Sequence, residues 1–481
     1  MIESTISSSA AAARPGLRGS IGVTGIVFLV IAAAAPLTAV AGSLPVMIAL
    51  GNGPGAPVTY LVVAVVLLVF SVGYATMSSS VTETGAFYAY VTKGLGRSPG
   101  LGAAALALLA YTTVQVAIYG LAASTTATVV ARFGGPDLPW WVWAFVLMGI
   151  VALLGYRSID LGTKVLGVLL LAEIALIVVL SGAVLLRGGA HGIDVSSFTP
   201  SAFFSGSPGI ALMFAIGSFI GFEATAIYSD ETKDPARTIP VATYTAVITI
   251  GVLYAVASWA VVLASGSGDV QAAARAHPAD LTLTTASEYL GAVAADVMTV
   301  MLITSLFAAL LAFHNAIARY THALARGGFA PRRLAAVHPR HGSPHVGSLV
   351  QTVTALVLVA VFAMAGADPV LQLFTWMAGV ATVAMLAVMV LTSLAIVVYF
   401  ARSDGDRRLW HTKVAPVLGG LGLCVVTALV ITNFTTLIGG SRILADVFLA
   451  MIACTFLTGT LLGRVSGRPA RRGDSATSPP R

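Results

Sequence analysis

Charged side chains are scarce in this sequence. Asp, Glu, Lys and Arg together make up 9 % of the 481 residues, whereas hydrophobic residues make up 57 %. So small a polar fraction cannot cover the surface of a water-soluble globule, which excludes an ordinary soluble domain and leaves the lipid bilayer as the solvent. Nearly all of the chain is therefore expected to lie within a membrane.

Cysteine is almost absent as well. The two cysteines, Cys424 and Cys454, both lie within apolar runs, so we expect neither a disulfide framework nor a metal site. The sequence also lacks a His-Glu-x-x-His motif, a nucleotide-binding loop and a serine with a base on a neighbouring apolar run. These absences argue against an intramembrane enzyme and against ATP as the energy source, and we expect no cofactor.

Long apolar runs are what the sequence does contain. Runs of roughly 20 residues, the length of a helix that crosses a bilayer, recur between short polar gaps. They are continuous in Ala, Leu, Val and Ile, which favours helices over the alternating strands of a membrane β-barrel. The sequence therefore predicts an all-α polytopic membrane protein of about twelve transmembrane helices. The predicted spans, numbered 1 to 12 in chain order, are residues 22–50, 58–78, 101–130, 140–155, 166–186, 209–228, 241–264, 293–318, 346–364, 370–400, 414–434 and 443–462.

The basic residues fall mainly on one side of these spans. When the loops are assigned alternately to the two sides, 22 Lys and Arg residues lie on one side and four on the other, which together are all 26. By the positive-inside rule the basic side is cytoplasmic, so both termini are expected in the cytoplasm. The net charge of +7 thus follows from membrane topology and gives no reason to expect a nucleic-acid partner. The four basic residues on the opposite side are Arg132, Arg187, Arg275 and Arg442.

Two short tails flank the spans. Residues 1–20 lack the apolar core and cleavage pattern of a secretory signal, so they are expected to form a retained cytoplasmic N-terminal tail. Residues 464–481 are rich in Arg, Ser and Pro without apolar periodicity, which predicts a disordered basic cytoplasmic tail. A twelve-helix domain over residues 21–463 lies between the two tails.

Two spans contain residues that interrupt a helix. Span 1 has four alanines at 32–35 followed by Pro36, which cannot donate the helical hydrogen bond. Span 6 places Gly217, Gly221 and Glu223 where the helix should be deepest. Broken helices offer polar backbone to an ion or a zwitterion at membrane depth, although proline kinks and glycine contacts also occur in membrane helices without a transport role.

The paired position of the breaks predicts an internal repeat. Spans 1 and 6 are the first members of two successive sets of five helices, as in a five-plus-five inverted repeat. The two repeats would cover about 21–187 and 208–400, and two extra helices would follow at about 414–462.

Three segments between the spans resemble the motifs of a known family. Glu-Thr-Gly-Ala-Phe-Tyr-Ala-Tyr at 83–90 follows span 2, and Asp-Glu-Thr-Lys-Asp-Pro-Ala-Arg-Thr-Ile-Pro at 230–240 follows span 6. Asn-Ala-Ile-Ala-Arg at 315–319 ends span 8 and precedes Ala-Leu-Ala-Arg-Gly-Gly-Phe-Ala-Pro at 323–331. On these motifs, the chain from about residue 22 to 462 resembles the amino acid/polyamine/organocation permease superfamily. The resemblance implies two inverted five-helix repeats plus two further helices.

The resemblance also implies a substrate site between spans 1 and 6. The carboxylate of the substrate would meet backbone amides at the first break, and its amino group would meet carbonyls at the second, with helix dipoles of the matching sense. Span 1 departs from the family by having Ala-Ala-Pro-Leu-Thr in place of Gly-Ser-Gly. The implied positions are Pro36, Leu37 and Thr38 for the carboxylate, and Phe219, Ile220 and Gly221 for the amino group.

Two more site positions follow from spacing within the resemblance. Gln115 in span 3 corresponds to a pocket-lining position and Phe313 in span 8 to an aromatic gate, although ordinary helix packing would also explain either residue. Span 6 is similar to the arginine/agmatine antiporter at residues 218–221, but Gly217 stands where that protein has a tryptophan. The identity of the substrate is therefore not carried over.

Two acidic residues, Glu173 and Glu223, are predicted to lie within spans. A carboxylate there costs at least about 2 to 3 kcal/mol and is less costly when protonated or paired, so both are candidate proton carriers. Glu223, beside a break, is the first choice, and the alternative is a neutral carboxyl that bridges two helices. Glu173 corresponds to a position at which several members of the family have a lysine, whose cation takes the place of a bound sodium ion. A carboxyl group there reverses the sign of the charge at that site. His314 could extend a proton relay or only pack.

Together these features favour secondary active transport. We expect a permease that moves amino acids across the cytoplasmic membrane by alternating access, as a proton symporter. Its expected partners are the lipid bilayer, a small-molecule amino acid or amine, and protons. A carrier of polyamines or other organic amines and an amino acid exchanger remain alternatives, whereas a channel or a receptor fits paired broken helices less well. The individual substrate, proton against sodium coupling and the oligomeric state stay open.

Overall fold

Helices account for nearly all of the described chain. The computed structural model describes residues 22–81, 86–157, 163–223, 225, 232, 234–403 and 408–466. Within these residues, ten helices are long and apolar enough to cross a membrane, and two shorter apolar helices, Trp140–Tyr156 and Pro208–Phe219, bring the apolar segments to twelve. These segments follow the predicted spans in order, which confirms an all-α polytopic membrane protein.

The structure refines the bounds of the spans. Spans 2 to 5 are Ala56–Ser80, Arg97–Arg132, Trp140–Tyr156 and Thr163–Arg187, and spans 7 to 12 are Pro235–Ser265, Ala292–Arg326, His345–Met364, Thr375–Arg402, Ala415–Leu437 and Arg442–Ser466. Span 1 consists of Val23–Ala34, Thr38–Ser43 and Leu44–Leu50, and span 6 begins with Pro208–Phe219. Spans 3, 8 and 12 continue past their apolar runs, because helical hydrogen bonding persists where the side chains are already polar.

Several predicted segments lie outside the described residues. They are the tails 1–20 and 467–481, the start of the first motif at 83–85 and, apart from Thr232, the connector at 226–233. Span 12 remains helical to Ser466, past the predicted start of the C-terminal tail. The connector leads into Pro235, the first residue of span 7, where a proline has no helical hydrogen bond to lose. The inverted repeat stays a prediction.

Span 3 is central to the packing. Its 36 residues correspond to roughly 54 Å at the α-helical rise, which is longer than the roughly 30 Å hydrocarbon core. Spans 8, 10 and 12 all pack against it, and span 7 packs along span 2. The close approach depends on small residues, since a Cβ at Gly120 would lie 2.5 Å from the carbonyl oxygen of Pro369. Span 3 thereby links the helices that surround the site.

Aromatic side chains close one end of the bundle. An aromatic cluster of Phe70, Tyr74, Phe87, Tyr90 and Phe222 is buried there, with each residue at most 3 % exposed. The Tyr74 ring centroid lies 5.4 Å from that of Phe87 and 5.2 Å from that of Tyr90. Phe87 and Tyr90 belong to the helix Ala86–Leu95, which packs against spans 3 and 10. The described part of the 83–90 motif therefore forms part of this seal.

The half of span 1 that follows its break is held by a connecting helix. The helices Val270–Ala276 and Leu281–Leu290 join spans 7 and 8. The hydroxyl of Thr282 donates a 2.8 Å hydrogen bond to the carbonyl oxygen of Val40. Val40 lies in the π-helical segment Thr38–Ser43, a wide turn of a kind often found at functional sites. Span 1 is thus anchored close to its break.

Candidate functional site

The first break lies in span 1 at Ala35 and Pro36. The helix Val23–Ala34 ends there, and Ala35 has a φ of +45°, the only positive φ of a non-glycine residue in the described part of the chain. A left-handed conformation costs an L-residue roughly 1–2 kcal/mol. Pro36 has no N–H with which to continue the helix. The predicted interruption of span 1 is confirmed.

Side chains from spans 5 and 7 bind the backbone of the first break, and a third side chain, from span 8, binds one of these two. The hydroxyl of Tyr254 in span 7 donates to the carbonyl oxygen of Ala34 at 3.2 Å. The backbone N–H of Leu37 donates to the carboxyl group of Glu173 in span 5. Ser305 in span 8 donates its hydroxyl to Oε2 of Glu173 at 3.1 Å. Two backbone groups at the break, the carbonyl of Ala34 and the N–H of Leu37, are therefore paired with side chains.

The second break lies in span 6 after Phe219. Gly221 has a φ of +117°, a conformation that side chains other than glycine rarely adopt. A Cβ at this position would lie 3.1 Å from the carbonyl carbon of Ala33 in span 1. Glycine is thus required both by its own backbone and by its neighbour, and the two breaks touch each other. The predicted interruption of span 6 is confirmed.

Glu223 holds the second break to two other spans. Its Oε2 accepts the N–H of Gly221 at 2.8 Å, and its Oε1 accepts the hydroxyl of Tyr111 in span 3 at 3.0 Å. The hydroxyl of Tyr74 in span 2 donates to the backbone carbonyl of Glu223 at 2.9 Å. Glu223 is only 2 % exposed. Its carboxyl group is therefore a buried link between the break and span 3.

A cavity of about 60 Å³ lies beside the two breaks, and spans 1, 3, 6, 8 and 10 contribute to its wall. The wall is mainly apolar, with a few hydroxyl groups, and no described residue that lines it carries a charge. Within the described ranges, no group of three or more His, Cys, Asp or Glu residues is placed to hold a metal ion. A small ligand with one polar and one apolar end matches such a wall. Representative lining residues are Ala33, Ala34, Thr38, Gly217, Phe313 and Thr382.

Three of the predicted substrate-binding residues line this cavity, namely Thr38, Ile220 and Phe313. The Thr38 hydroxyl also donates to Oγ of Ser305 at 3.3 Å, which connects the cavity wall to Glu173. Their contact with a substrate stays a prediction. Four other predicted residues form the backbone of the two breaks: Pro36, Leu37, Phe219 and Gly221.

Gln115 does not line the cavity. Its Nε2 donates to the carbonyl oxygen of Leu310 at 3.0 Å, and its Oε1 accepts a hydrogen bond of 2.6 Å from Nε2 of Gln351. The amide of Gln115 is thus used as both donor and acceptor in joining spans 3, 8 and 9. In this structure Gln115 is a buried contact between helices and not a wall residue.

The two predicted proton-coupling residues lie at the two breaks. Glu173 binds the backbone of the first break and Glu223 that of the second. Both are buried, at 5 % and 2 % exposure. His314 is bonded elsewhere, since its Nε2 lies 2.7 Å from Oγ of Ser348 in span 9. One carboxyl group at each break is therefore the main chemical feature of the site.

Three polar residues at the site were not predicted from the sequence: Tyr111, Ser305 and Thr382. Tyr111 precedes Gln115 by four residues, so it lies on the same face of span 3, and that spacing is a signal that points to it. Ser305, which follows Thr304, and Thr382 are hydroxyl residues within apolar runs, a common pattern in membrane helices. Only their partners in other spans distinguish them from ordinary packing residues.

Comparison with known proteins assigns the family. A model of the amino acid permease family matches residues 21–458. The branched-chain amino acid permease BcaP of Bacillus subtilis is 25 % identical over 77 % of this chain and 79 % of its own length. BcaP of Lactococcus lactis is 24 % identical over 65 % of this chain and 70 % of its own length. A probable GABA permease of Pseudomonas aeruginosa is 27 % identical over 44 % of this chain and 45 % of its own length. The chain therefore belongs to the amino acid permease family, within the amino acid/polyamine/organocation superfamily, and is a multi-pass membrane transporter of amino acids and not an enzyme.

Proposed function

We propose that this protein imports neutral amino acids with apolar side chains by proton symport and alternating access. It lies in the cytoplasmic membrane with both termini in the cytoplasm, as the distribution of its 26 basic residues favours. The observation that carries the proposal is the cavity beside the two breaks, which is mainly apolar and lined by no charged residue of the described chain.

An amino acid matches both parts of this wall. Its zwitterionic end needs hydrogen-bond donors and acceptors, which the backbone of the broken helices can offer. Its side chain would meet Phe374, Ala378 and Ala381 of the apolar wall. A charged side chain would have no partner among the described lining residues, and burying an unpaired charge is costly. Two relatives named as branched-chain amino acid permeases support the same substrate class.

The carboxyl groups at the breaks support proton coupling. Glu223 connects the break in span 6 to Tyr111 in span 3, and Glu173 connects the break in span 1 to Ser305 in span 8. An ionised carboxylate only accepts hydrogen bonds, whereas a protonated one also donates, so binding a proton changes the bonds that hold each break. Proton binding and movement of the broken helices are thereby linked.

The aromatic cluster supports alternating access. It packs Phe222, beside the second break, together with residues of span 2 and of the helix Ala86–Leu95, and the Tyr74 hydroxyl ties span 2 to the Glu223 carbonyl. Opening this end requires Phe222 and Tyr74 to leave Phe87 and Tyr90. In the proposed cycle, this seal and the opposite end open in turn.

Uptake of labelled leucine by proteoliposomes that contain the purified protein tests the substrate class. We expect saturable uptake that unlabelled isoleucine and valine inhibit and that arginine, putrescine and GABA do not. Empty liposomes are the control. Stronger inhibition by putrescine or arginine than by isoleucine would instead support the amine-carrier alternative.

An imposed proton gradient tests the coupling. Acid outside should accelerate leucine uptake, and a protonophore should abolish the acceleration. Glu223→Gln cannot ionise, so we expect its uptake to lose the response to the gradient at unchanged protein abundance. If wild-type uptake ignores the gradient but depends on amino acid trapped inside the liposomes, the protein is an exchanger.

A further inference from the structure

The helix of span 6 that leads to the second break faces span 10 across one part of the cavity wall. Gly217 of span 6 and Thr382 of span 10 lie there, together with Ala378 and Ala381. Gly217 precedes Ile220 by about one helical turn, in the helix Pro208–Phe219 that leads to the second break. If the breaks hold the zwitterionic end of an amino acid, this region faces its side chain.

Gly217 is not explained by the needs of its own backbone. Its φ is not among the positive values that favour glycine, unlike that of Gly221. Apart from the backbone of its own helix, an added Cβ would find one atom within 4 Å, Oγ1 of Thr382 at 3.3 Å. At Gly120, by contrast, an added Cβ would lie 2.5 Å from the carbonyl oxygen of Pro369. The cavity is therefore open around an added Cβ at 217 except toward Thr382, where spans 6 and 10 already approach closely.

Thr382 faces this open volume from the opposite helix. It is 1 % exposed, and its hydroxyl donates to the carbonyl oxygen of Met213 at 3.4 Å, the long end of the hydrogen-bond range. The neighbouring wall residues of span 10, Ala378 and Ala381, carry only a methyl group. The gap between Gly217 and the Thr382 side chain is thus too narrow to admit a substrate side chain, so the two residues together close the cavity here and limit how far a bound side chain can extend.

We propose that Gly217 and Thr382 set the upper size limit for the side chain of the transported amino acid. This inference rests on the proposed function, because it concerns the cavity in which the amino acid would bind. Aliphatic side chains of three or four carbons would end against these two residues, and the longer aromatic side chains would be excluded by them. One methylene in an apolar pocket changes discrimination by roughly 10- to 200-fold, so single methyl groups at these positions should reorder the substrates.

Gly217→Ala tests the limit by adding one methyl group to the wall. Competition against labelled alanine uptake in proteoliposomes gives the inhibition constants of unlabelled valine, leucine and phenylalanine for each variant. We expect the inhibition constant of leucine, relative to that of unlabelled alanine, to rise by roughly tenfold or more. Gly149→Ala is the matched control, because Gly149 lies in span 4 with nothing within 4 Å of an added Cβ.

Thr382→Ala tests the limit in the opposite direction by removing a methyl and a hydroxyl group. We expect phenylalanine, a poor competitor of the wild type, to become an effective one. Thr382→Val keeps the size of the side chain but loses the hydroxyl, and we expect it to keep the wild-type order. Because Thr382→Ala enlarges the space, it decides the question even if Gly217→Ala fails to fold.

The outcomes separate this inference from the proposed function. A wild-type protein that transports no amino acid contradicts the proposed function itself. A wild type that transports alanine and leucine, with the same order of competitors in Gly217→Ala, Thr382→Ala and Gly149→Ala, overturns the size limit and leaves the proposed function standing. Opposite shifts in the variants at 217 and 382, with none in Gly149→Ala or Thr382→Val, support the inference.

Discussion

At the scale of single residues, the site depends on carboxyl groups that bind backbone. Glu223 accepts the N–H of Gly221, and Glu173 accepts that of Leu37, so each break has a carboxyl group beside it. An ionisable group inside a membrane protein is costly and is usually tied to function. The two residues differ in their other donors, a phenol from Tyr111 and an aliphatic hydroxyl from Ser305.

Tyr111→Phe removes the phenol that donates to Glu223 and keeps the ring, whose centroid lies 6.0 Å from that of Phe313. A hydrogen bond to a charged group is worth about 1.5 to 3 kcal/mol. The ionised carboxylate loses a donor, so we expect the pH profile of leucine uptake to move to higher pH by roughly one unit or more, at 1.36 kcal/mol per unit. Initial rates measured between pH 5 and pH 8 test this shift.

Tyr320→Phe is the matched control for that experiment. Tyr320 is also a tyrosine in a span, and its buried hydroxyl has no hydrogen-bond partner among the described residues. Its removal should leave the profile in place. A Tyr111→Phe profile that coincides with both the wild type and Tyr320→Phe would show that this hydrogen bond does not control the pH dependence.

Residue-level prediction from the sequence was uneven for a physical reason. Acidic residues in an apolar run stand out by their cost alone, so Glu173 and Glu223 could be identified. Gln115 could be assigned to a face of span 3 but not to a partner. Its partner Gln351 is 236 positions away in the chain, and only the tertiary packing brings the two amides together.

At the scale of elements, the breaks are specific in shape and in position. Pro36 and the span 6 glycines are local signals, so both interruptions could be predicted from the sequence. The left-handed Ala35 and the π-helical turn Thr38–Ser43 could not be. Both conformations depend on bonds from other elements, such as that from Thr282 to Val40, which compensate locally unfavourable backbone.

Gly221→Ala tests the fit of the second break. An alanine there would need an unfavourable φ of +117° and would place its Cβ 3.1 Å from the carbonyl carbon of Ala33. Strain of this kind costs about 1 to 3 kcal/mol. We expect near-complete loss of leucine uptake and a melting temperature lower by several degrees in a thermal-shift measurement.

Two further variants separate the causes of that loss. Gly182→Ala in span 5 is the control, because nothing lies within 4 Å of an added Cβ there. Ala33→Gly combined with Gly221→Ala removes the methyl group of residue 33, which would lie 3.1 Å from the new Cβ, but leaves the contacts with the carbonyl group of residue 33 and the backbone strain. Partial recovery in the double variant is the expected result. Wild-type uptake and melting by Gly221→Ala alone would contradict the importance of the fit.

At the scale of the whole molecule, the number and order of the spans could be predicted because the lipid bilayer, which is the solvent of this protein, determines them. Hydrocarbon demands about 20 apolar residues per crossing, and this demand is local in the chain. Which spans pack together is not local. The contacts of span 3 with spans 8, 10 and 12 depend on small residues such as Gly120 whose role is visible only in three dimensions.

The proposed orientation can be tested by labelling single cysteines. Replacing Cys424 and Cys454, both exposed on the surface of the helix bundle, with alanine should give a functional cysteine-free protein. Phe133→Cys, at a residue 69 % exposed after span 3, should react with a membrane-impermeant maleimide in intact cells. Arg340→Cys, between spans 8 and 9, should react only after the cells are permeabilised. The reverse pattern would invert the proposed topology.

The contact between Gly221 and Ala33 has a consequence for leakage. The two broken helices are in close contact there, so no water molecule fits between them at this point. A continuous aqueous pore at this point would need the two helices to separate by at least the diameter of a water molecule. This close contact favours a protein that passes its substrate one molecule at a time and keeps the membrane sealed to small ions while it does so.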